Sequence, residues 1–210
     1  MSGEDGVVDR PCRWETLGSE LRFKGAIIEV RTDRVRMPNG DDSEVVERDV
    51  VVHPGSVGVI CLDDEERVLL LRQYRHPVGY LLWEPPAGLR DVEGEPLWRT
   101  AERELAEEAG YRAREWHTLL DACTSPGMTD EKTRIFLARG LSEIPEGEED
   151  FERIHEEADM PVAWVPLDEA VAAVQRGDVH NPLAVMGILS VYAARATGFR
   201  DLRAPDAPEW

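Results

Sequence analysis

Residues 88–111 read GLRDVEGEPLWRTAERELAEEAGY, and no other stretch limits the possible folds as tightly. Ala101, Leu105 and Ala109 recur at i, i+4 and i+8, which predicts a helix over 97–109, and Gly110 stands at the usual C-terminal stop. On that helix Glu104, Glu107 and Glu108 fall at i, i+3 and i+4, so three carboxylates share one face. Like charges packed this way repel by about a few tenths of a kcal/mol per pair on an exposed helix. The apolar stripe lies immediately beside them, so the carboxylates stand at the edge of the buried side. Hard oxygen donors clustered at a core edge suit Mg²⁺ or Mn²⁺. The residues alone leave an alternative open: a solvated acidic face, with Arg103–Glu104 and Glu107–Glu108 as surface ion-pair partners.

Around this helix the pattern is mostly β. Residues 1–20 carry little pattern and are expected to be partly mobile. Two β-like runs follow, 25–37 and 43–53, separated by the turn signal Pro38-Asn39-Gly40-Asp41. After Pro54-Gly55, strands are expected over 56–62, 67–75 and 81–84, the last running into Pro85-Pro86-Ala87-Gly88. Further strands are expected over 116–123, 133–139 and 162–167, with an acidic loop at 142–160. Two helices close the chain, one over 168–176 and one opened by Asn181-Pro182 and stopped by Gly198. Strands and helices intermix without regular βαβ alternation, so an α/β (α+β) fold with a mixed sheet covered by helices is expected.

Composition narrows the function. The 210 residues suit one compact domain with a smaller appendage, and the formal net charge is −19. Such a surface repels phosphate backbones, which argues against nucleic acid as a partner. An anionic substrate would then need a metal or local arginines to mediate. Cys12, Cys61 and Cys123 are isolated, which fits a reducing cytoplasm better than a disulfide framework or a zinc site. No long apolar run indicates a membrane span, and the first residues lack the charge and hydropathy of a secretory leader.

The 88–111 stretch resembles the Nudix box: Gly, five residues, Glu, seven residues, Arg-Glu, an aliphatic, any residue, Glu-Glu, any residue, Gly, an aliphatic. Here Glu95 is followed by seven residues and then Arg103-Glu104-Leu105-Ala106-Glu107-Glu108-Ala109-Gly110. Two departures occur: six residues separate Gly88 from Glu95, and Tyr111 replaces the closing aliphatic. The extra residue falls in a loop, where insertion is tolerated. The resemblance implies a Nudix-type α/β/α sandwich with a small N-terminal β-hairpin domain. It partitions the chain into 1–55 (N-terminal segment and dimerisation piece), 56–198 (hydrolase domain) and 199–210 (tail). It implies Mg²⁺, with Mn²⁺ possible, held by Glu104 and Glu108, with Glu107 assisting and the Ala87 carbonyl completing the set. Arg103 would orient the carboxylates, and Gly88 would let the backbone turn tightly.

Beyond the box the chain looks like the ADP-ribose pyrophosphatase subfamily. Pro126 lies 15 residues past Tyr111, and the runs 73–89 and 155–160 also match the subfamily. The likeness spans about 24–200 and implies a nucleotide-sugar substrate, with AMP and ribose 5-phosphate as products. It marks Arg48, Arg75, Glu84 and Pro126 as substrate-binding and Glu157 as the general base, with Glu156 the runner-up. Adenine would rest on Ile27 or Ile28, or on Trp14. It also implies a homodimer that exchanges its N-terminal piece, so that Arg48 reaches a shared pocket. Alternatives are a hydrolase of another nucleoside diphosphate sugar such as GDP-mannose, or a domain that senses ADP-ribose without cutting it.

Overall fold

The structure is a computed structural model that describes residues 6–145 and 160–209. It forms two compact units, Met1–His53 with Gly127–Asp130, and Pro54–Pro126 with Glu131–Trp210.

The first unit is a three-stranded antiparallel sheet in the order β1 (Glu15–Lys24), β2 (Glu29–Asn39), β3 (Asp42–Val52). The β2–β3 hairpin closes on Asn39 opposite Asp42, with Gly40 at φ 62° in the turn anticipated from Pro-Asn-Gly-Asp. β1 corrects the expectation of a patternless start. Its ten residues ETLGSELRFK are all exposed, so no apolar alternation marks them as a strand. Pairing with β2 is supported by polar links, Arg36 to Glu15 at 2.8 Å and Ser19 Oγ donating to Asp33 at 2.6 Å. Thr129 bridges Val51, and the Val51 N–H donates to the Met128 carbonyl, which ties 127–130 to this sheet.

The second unit holds two sheets. One is mixed, in the order β7 (Ala87–Leu89), β4 (Ser56–Cys61), β9 (Lys132–Glu143), β8 (Tyr111–Cys123), with β4 and β9 parallel. The other is antiparallel, in the order β10 (Val162–Pro166), β5 (Arg67–Arg75), β6 (Tyr80–Glu84). β8 and β9 extend beyond the expected 116–123 and 133–139, because they form one long antiparallel ladder from Tyr111–Glu143 to Cys123–Lys132.

β4 is buried along its whole length, SVGVIC. Its residues alternate between two cores, as a strand covered on both faces must. Ile60, with Ile135 and Leu137 of β9, packs with α2 (Leu167–Arg176) and α3 (Pro182–Ala196). Val57, Val59 and Cys61, with Phe136 and Ala138, pack with α1 (Leu97–Glu104) and the turn that follows it. Gly187 lets α3 approach closely: a Cβ there would come within 2.5 Å of Ile60 Cδ1. Asn181 caps α3 by accepting from the Ala184 N–H at 3.0 Å, with Pro182 in the first turn.

One helix differs from expectation in kind. It is α-helical over Leu97–Glu104 and then π-helical over Leu105–Ala109, ending on Gly110 at φ 73°. Ala101, Leu105 and Ala109 are all buried, so the apolar stripe reaches the core despite the wider turn. Residues 199–209 lie against β8 and β9: the Thr118 N–H donates to the Arg203 carbonyl, and Arg134 Nη1 donates to that of Ala207. Among the described residues no helix is long and apolar enough to cross a membrane.

Candidate functional site

The site grows from the contact between β7 and the α1–π segment. β7 is three residues long and pairs with β4 on one side, Val57 opposite Gly88 and Gly58 opposite Ala87. Leu105 is fully buried and anchors the helix beneath it. The carboxylates that leave this helix therefore meet the β7 backbone.

Gly88 is the closest point of that meeting. A Cβ at Gly88 would lie 2.1 Å from the Glu104 Cδ and 2.2 Å from its Oε1. Gly88 is not among the glycines with positive φ, so a tight turn is not what it supplies. That corrects the sequence expectation: the absent side chain makes room for the Glu104 carboxylate. Glu108 uses the neighbouring residue. Its Oε2 accepts the Ala87 backbone N–H at 2.8 Å, and the residue is only 8 % exposed. Both glutamates are thus seated against two consecutive peptide units of β7.

Arg103 holds the cluster from the other side. Its Nη1 donates to Glu104 Oε1 at 2.8 Å and to Glu107 Oε2 at 3.2 Å. Its Nη2 lies 3.7 Å from both Asp91 and Glu95. Burial raises the Glu104 pKa to about 7; Arg103 works against the shift, while Glu107 and Asp91 add to it. A carboxylate so desolvated and crowded gains from any cation brought to it.

Among the described residues, no three His, Cys, Asp or Glu side chains converge as a ready-made metal cage. Arg103 draws Glu104 and Glu107 toward its guanidinium, while Ala87 holds Glu108 on the strand side. The donors fit a hard divalent cation: they are carboxylate oxygens and a backbone carbonyl, and Gly88 leaves the space in which Glu104 sits. Glu104, Glu107, Glu108 and the Ala87 backbone are the groups that could hold one.

The first turn of α1 and the loop before it make contacts that pattern reading missed. Thr100 is buried and its Oγ1 donates to Glu95 at 2.8 Å, fixing the box's first glutamate near Arg103. The extra residue between Gly88 and Glu95 is accommodated in a turn, where the Glu95 N–H donates to the Val92 carbonyl and Gly94 adopts φ 78°. The Gly94 in EGEP was the available signal for that turn.

Arg75 and Glu84 are brought together. In the β5–β6 ladder Arg75 lies opposite Tyr80 and Glu84 opposite Leu71, and the Arg75 side chain spans that offset, its Nε and Nη2 donating to Glu84 at 2.9 and 2.6 Å. Glu84 is 3 % exposed, so the pair is buried on its carboxylate side. Pro126 is the last residue of its segment of this unit. Arg48 belongs to the first unit, where it is exposed and donates to the Glu47 carbonyl at 2.9 Å and toward Met37 Sδ at 3.6 Å. Trp14 and Ile27 are exposed there too, and Ile28 is half-buried. Glu156 and Glu157 lie outside the described residues.

Comparison with known proteins agrees with the geometry. Residues 52–184 match the NUDIX domain model, and residues 14–44 match the nucleoside diphosphate sugar hydrolase N-terminal domain. The chain is 46 % identical to an ADP-ribose pyrophosphatase of Mycobacterium tuberculosis, covering 94 % of this chain and 91 % of the relative. It is 35 % identical to an ADP-ribose pyrophosphatase of Bacillus subtilis, covering 80 % and 86 %. In fold it is similar to a crystal structure of an ADP compounds hydrolase, with TM-score 0.70 at 22 % identity, over 91 % of this chain and 99 % of that one.

Proposed function

This chain belongs to the Nudix family of hydrolases, and we propose that it cleaves the diphosphate of ADP-ribose to AMP and ribose 5-phosphate. One observation carries the chemistry: Glu104 and Glu108 are seated on adjacent peptide units of β7, with Arg103 bridging Glu104 to Glu107. The substrate is supported by the likeness to the mycobacterial ADP-ribose pyrophosphatase along nearly the whole chain.

Nudix hydrolases work with a divalent cation, and for this chain we assign Mg²⁺, with Mn²⁺ able to replace it. Held by Glu104, Glu107, Glu108 and the Ala87 carbonyl, the ion would neutralise diphosphate charge and activate water. The protein's own part is positioning. Arg103 orients Glu104 and Glu107 and limits their mutual repulsion. Glu84 fixes the plane of the Arg75 guanidinium, a fork suited to a phosphate or ribose hydroxyl. Glu157 takes the proton of the attacking water, and Arg48 and Pro126 complete the substrate's surroundings.

We assign the active form as a homodimer in the cytoplasm. The first unit exposes Leu21, Phe23 and Ile27, an apolar set whose covering by a second copy would remove it from water. Exchange of this unit would let Arg48 serve the partner's site. Mixing Arg48→Ala and Glu104→Gln homodimers should then restore activity at one of two sites, and no recovery after confirmed exchange removes Arg48 from a shared pocket.

Chromatography of products after incubation with Mg²⁺ tests the substrate. ADP-ribose should give AMP and ribose 5-phosphate faster than GDP-mannose gives GMP. The reverse preference would move the assignment to a nucleoside diphosphate hexose.

A further inference from the structure

β7 is an edge strand of three residues, paired on one side, and strands this short have little hold of their own. Yet it seats both Glu104 and Glu108. Something must fix its far end, and the residue placed to do so is Arg90, one position past the strand.

Arg90 is gripped in three ways. Its backbone N–H donates to the Gly55 carbonyl at 3.1 Å, continuing the ladder by one bond. Its side-chain stem lies across Gly55, where a Cβ would come within 2.8 Å of Arg90 Cδ and 2.9 Å of the Lys132 carbonyl. Gly55 is at φ 92°, a conformation open to glycine. Its guanidinium makes a two-pronged ion pair with Glu209, Nη1 to Oε1 and Nη2 to Oε2, both at 2.9 Å. Parallel bonds of this kind fix orientation as well as distance.

Glu209 is itself held. Arg134, 3 % exposed, donates through Nη1 to the Ala207 carbonyl at 2.6 Å and through Nη2 to the Pro208 carbonyl at 3.1 Å. The same guanidinium pairs with Asp121 at 2.6 and 3.0 Å. Burial works against the Asp121 charge, but Arg134 and Arg203 outweigh it and hold its carboxyl below the usual range. Arg134 lies opposite Val57 on β4, and Val57 lies opposite Gly88 on β7. One cross-strand row thus links the buried arginine to the glycine that seats Glu104, and residues 207–209 close the loop back to Arg90.

We infer that Glu209 and Arg90 form a positioning clamp, through which the segment after α3 sets the register of β7 and hence the placing of Glu104 and Glu108. This rests on the assignment of those glutamates as metal ligands.

The test compares the parent with Glu209→Ala, Arg90→Ala and the double variant, using Arg176→Ala at the remote Arg176–Asp178 pair as control. Two readouts are taken on the whole protein. Hydrogen exchange over 87–90 should quicken in both single variants, and no more in the double, because the two residues act as one unit. Mn²⁺ binding, followed by the electron paramagnetic resonance of the free ion, should weaken about threefold to tenfold, while the control is unchanged. Glu209→Asp should recover part of both effects. Unaltered exchange over 87–90 in Glu209→Ala overturns the clamp. Quickened exchange with unaltered Mn²⁺ affinity overturns its link to the site. A parent that binds no Mn²⁺ removes the metal assignment instead, and exchange still decides whether the clamp exists.

Discussion

The two units solve the problem of holding strands together in opposite ways. In the second, β4 has every residue buried and feeds two cores, one under α2 and α3 and one under α1. In the first, β1 has every residue exposed, and the polar links that support it include Arg36–Glu15 and Ser19–Asp33. Exposed pairs of this kind contribute about 0–1 kcal/mol each, whereas burying one large apolar side chain contributes about 1.5–3 kcal/mol. A precise site needs the buried apolar kind of support, since its carboxylates must be held to a fraction of an ångström. The three-stranded sheet instead leaves Leu21 and Phe23 each 56 % exposed, surface suited to association.

The contrast can be broken where it is strongest. Glu157→Gln should lower turnover by about 10²–10⁴-fold, the worth of a general base, with little change in substrate affinity. Glu156→Gln should do much less; the reverse ranking in steady-state kinetics would exchange their roles. Gly88→Ala comes next. Its Cβ would overlap Glu104, so the carboxylate must move, and misplacement of about 1 Å costs on the order of 10²-fold. Turnover should fall that far while the melting temperature drops modestly. Parent-level turnover would show that Glu104 need not sit where β7 seats it.

Gly187→Ala strikes the same unit away from the site. Its Cβ would crowd Ile60, so denaturant titration should show a loss of about 1–3 kcal/mol, with catalysis preserved in the folded fraction. The smallest effect on stability is expected in the first unit. Leu21→Asp with Phe23→Asp should change the stability of a single chain by about 0.5 kcal/mol or less, as exposed positions do. The same pair should weaken the proposed dimer, and light scattering across a dilution series measures that. A parent that is a stable, fully active monomer would refute the dimer outright.

What the sequence made legible follows the same division. Apolar spacing located the stripe Ala101, Leu105, Ala109, and the β2–β3 turn was announced by Pro-Asn-Gly-Asp. β1 was not legible, because an exposed strand has no buried face to impose alternation. The π-helical turn was also hidden, since the stripe reaches the core with or without it. At the site, spacing singled out Glu104, Glu107 and Glu108 but not their arrangement. That depends on contacts distant in sequence, Gly88 with Glu104 and Ala87 with Glu108. The role of Arg90 depends on Glu209, a partner 119 residues away that no local pattern connects to it.

We propose that Glu104 and Glu108, seated on β7, hold the cation with which this chain cuts ADP-ribose. Glu104→Gln and Glu108→Gln test it most directly when Mn²⁺ affinity, initial rate on ADP-ribose and melting temperature are measured on the same preparations. The expected result is loss of most activity and of Mn²⁺ binding in each variant. The Glu104→Gln melting temperature should be unchanged or higher, because a crowded, desolvated charge has been removed. Hydrolysis at the parent rate with parent-like Mn²⁺ affinity in both variants would remove Glu104 and Glu108 from the metal site.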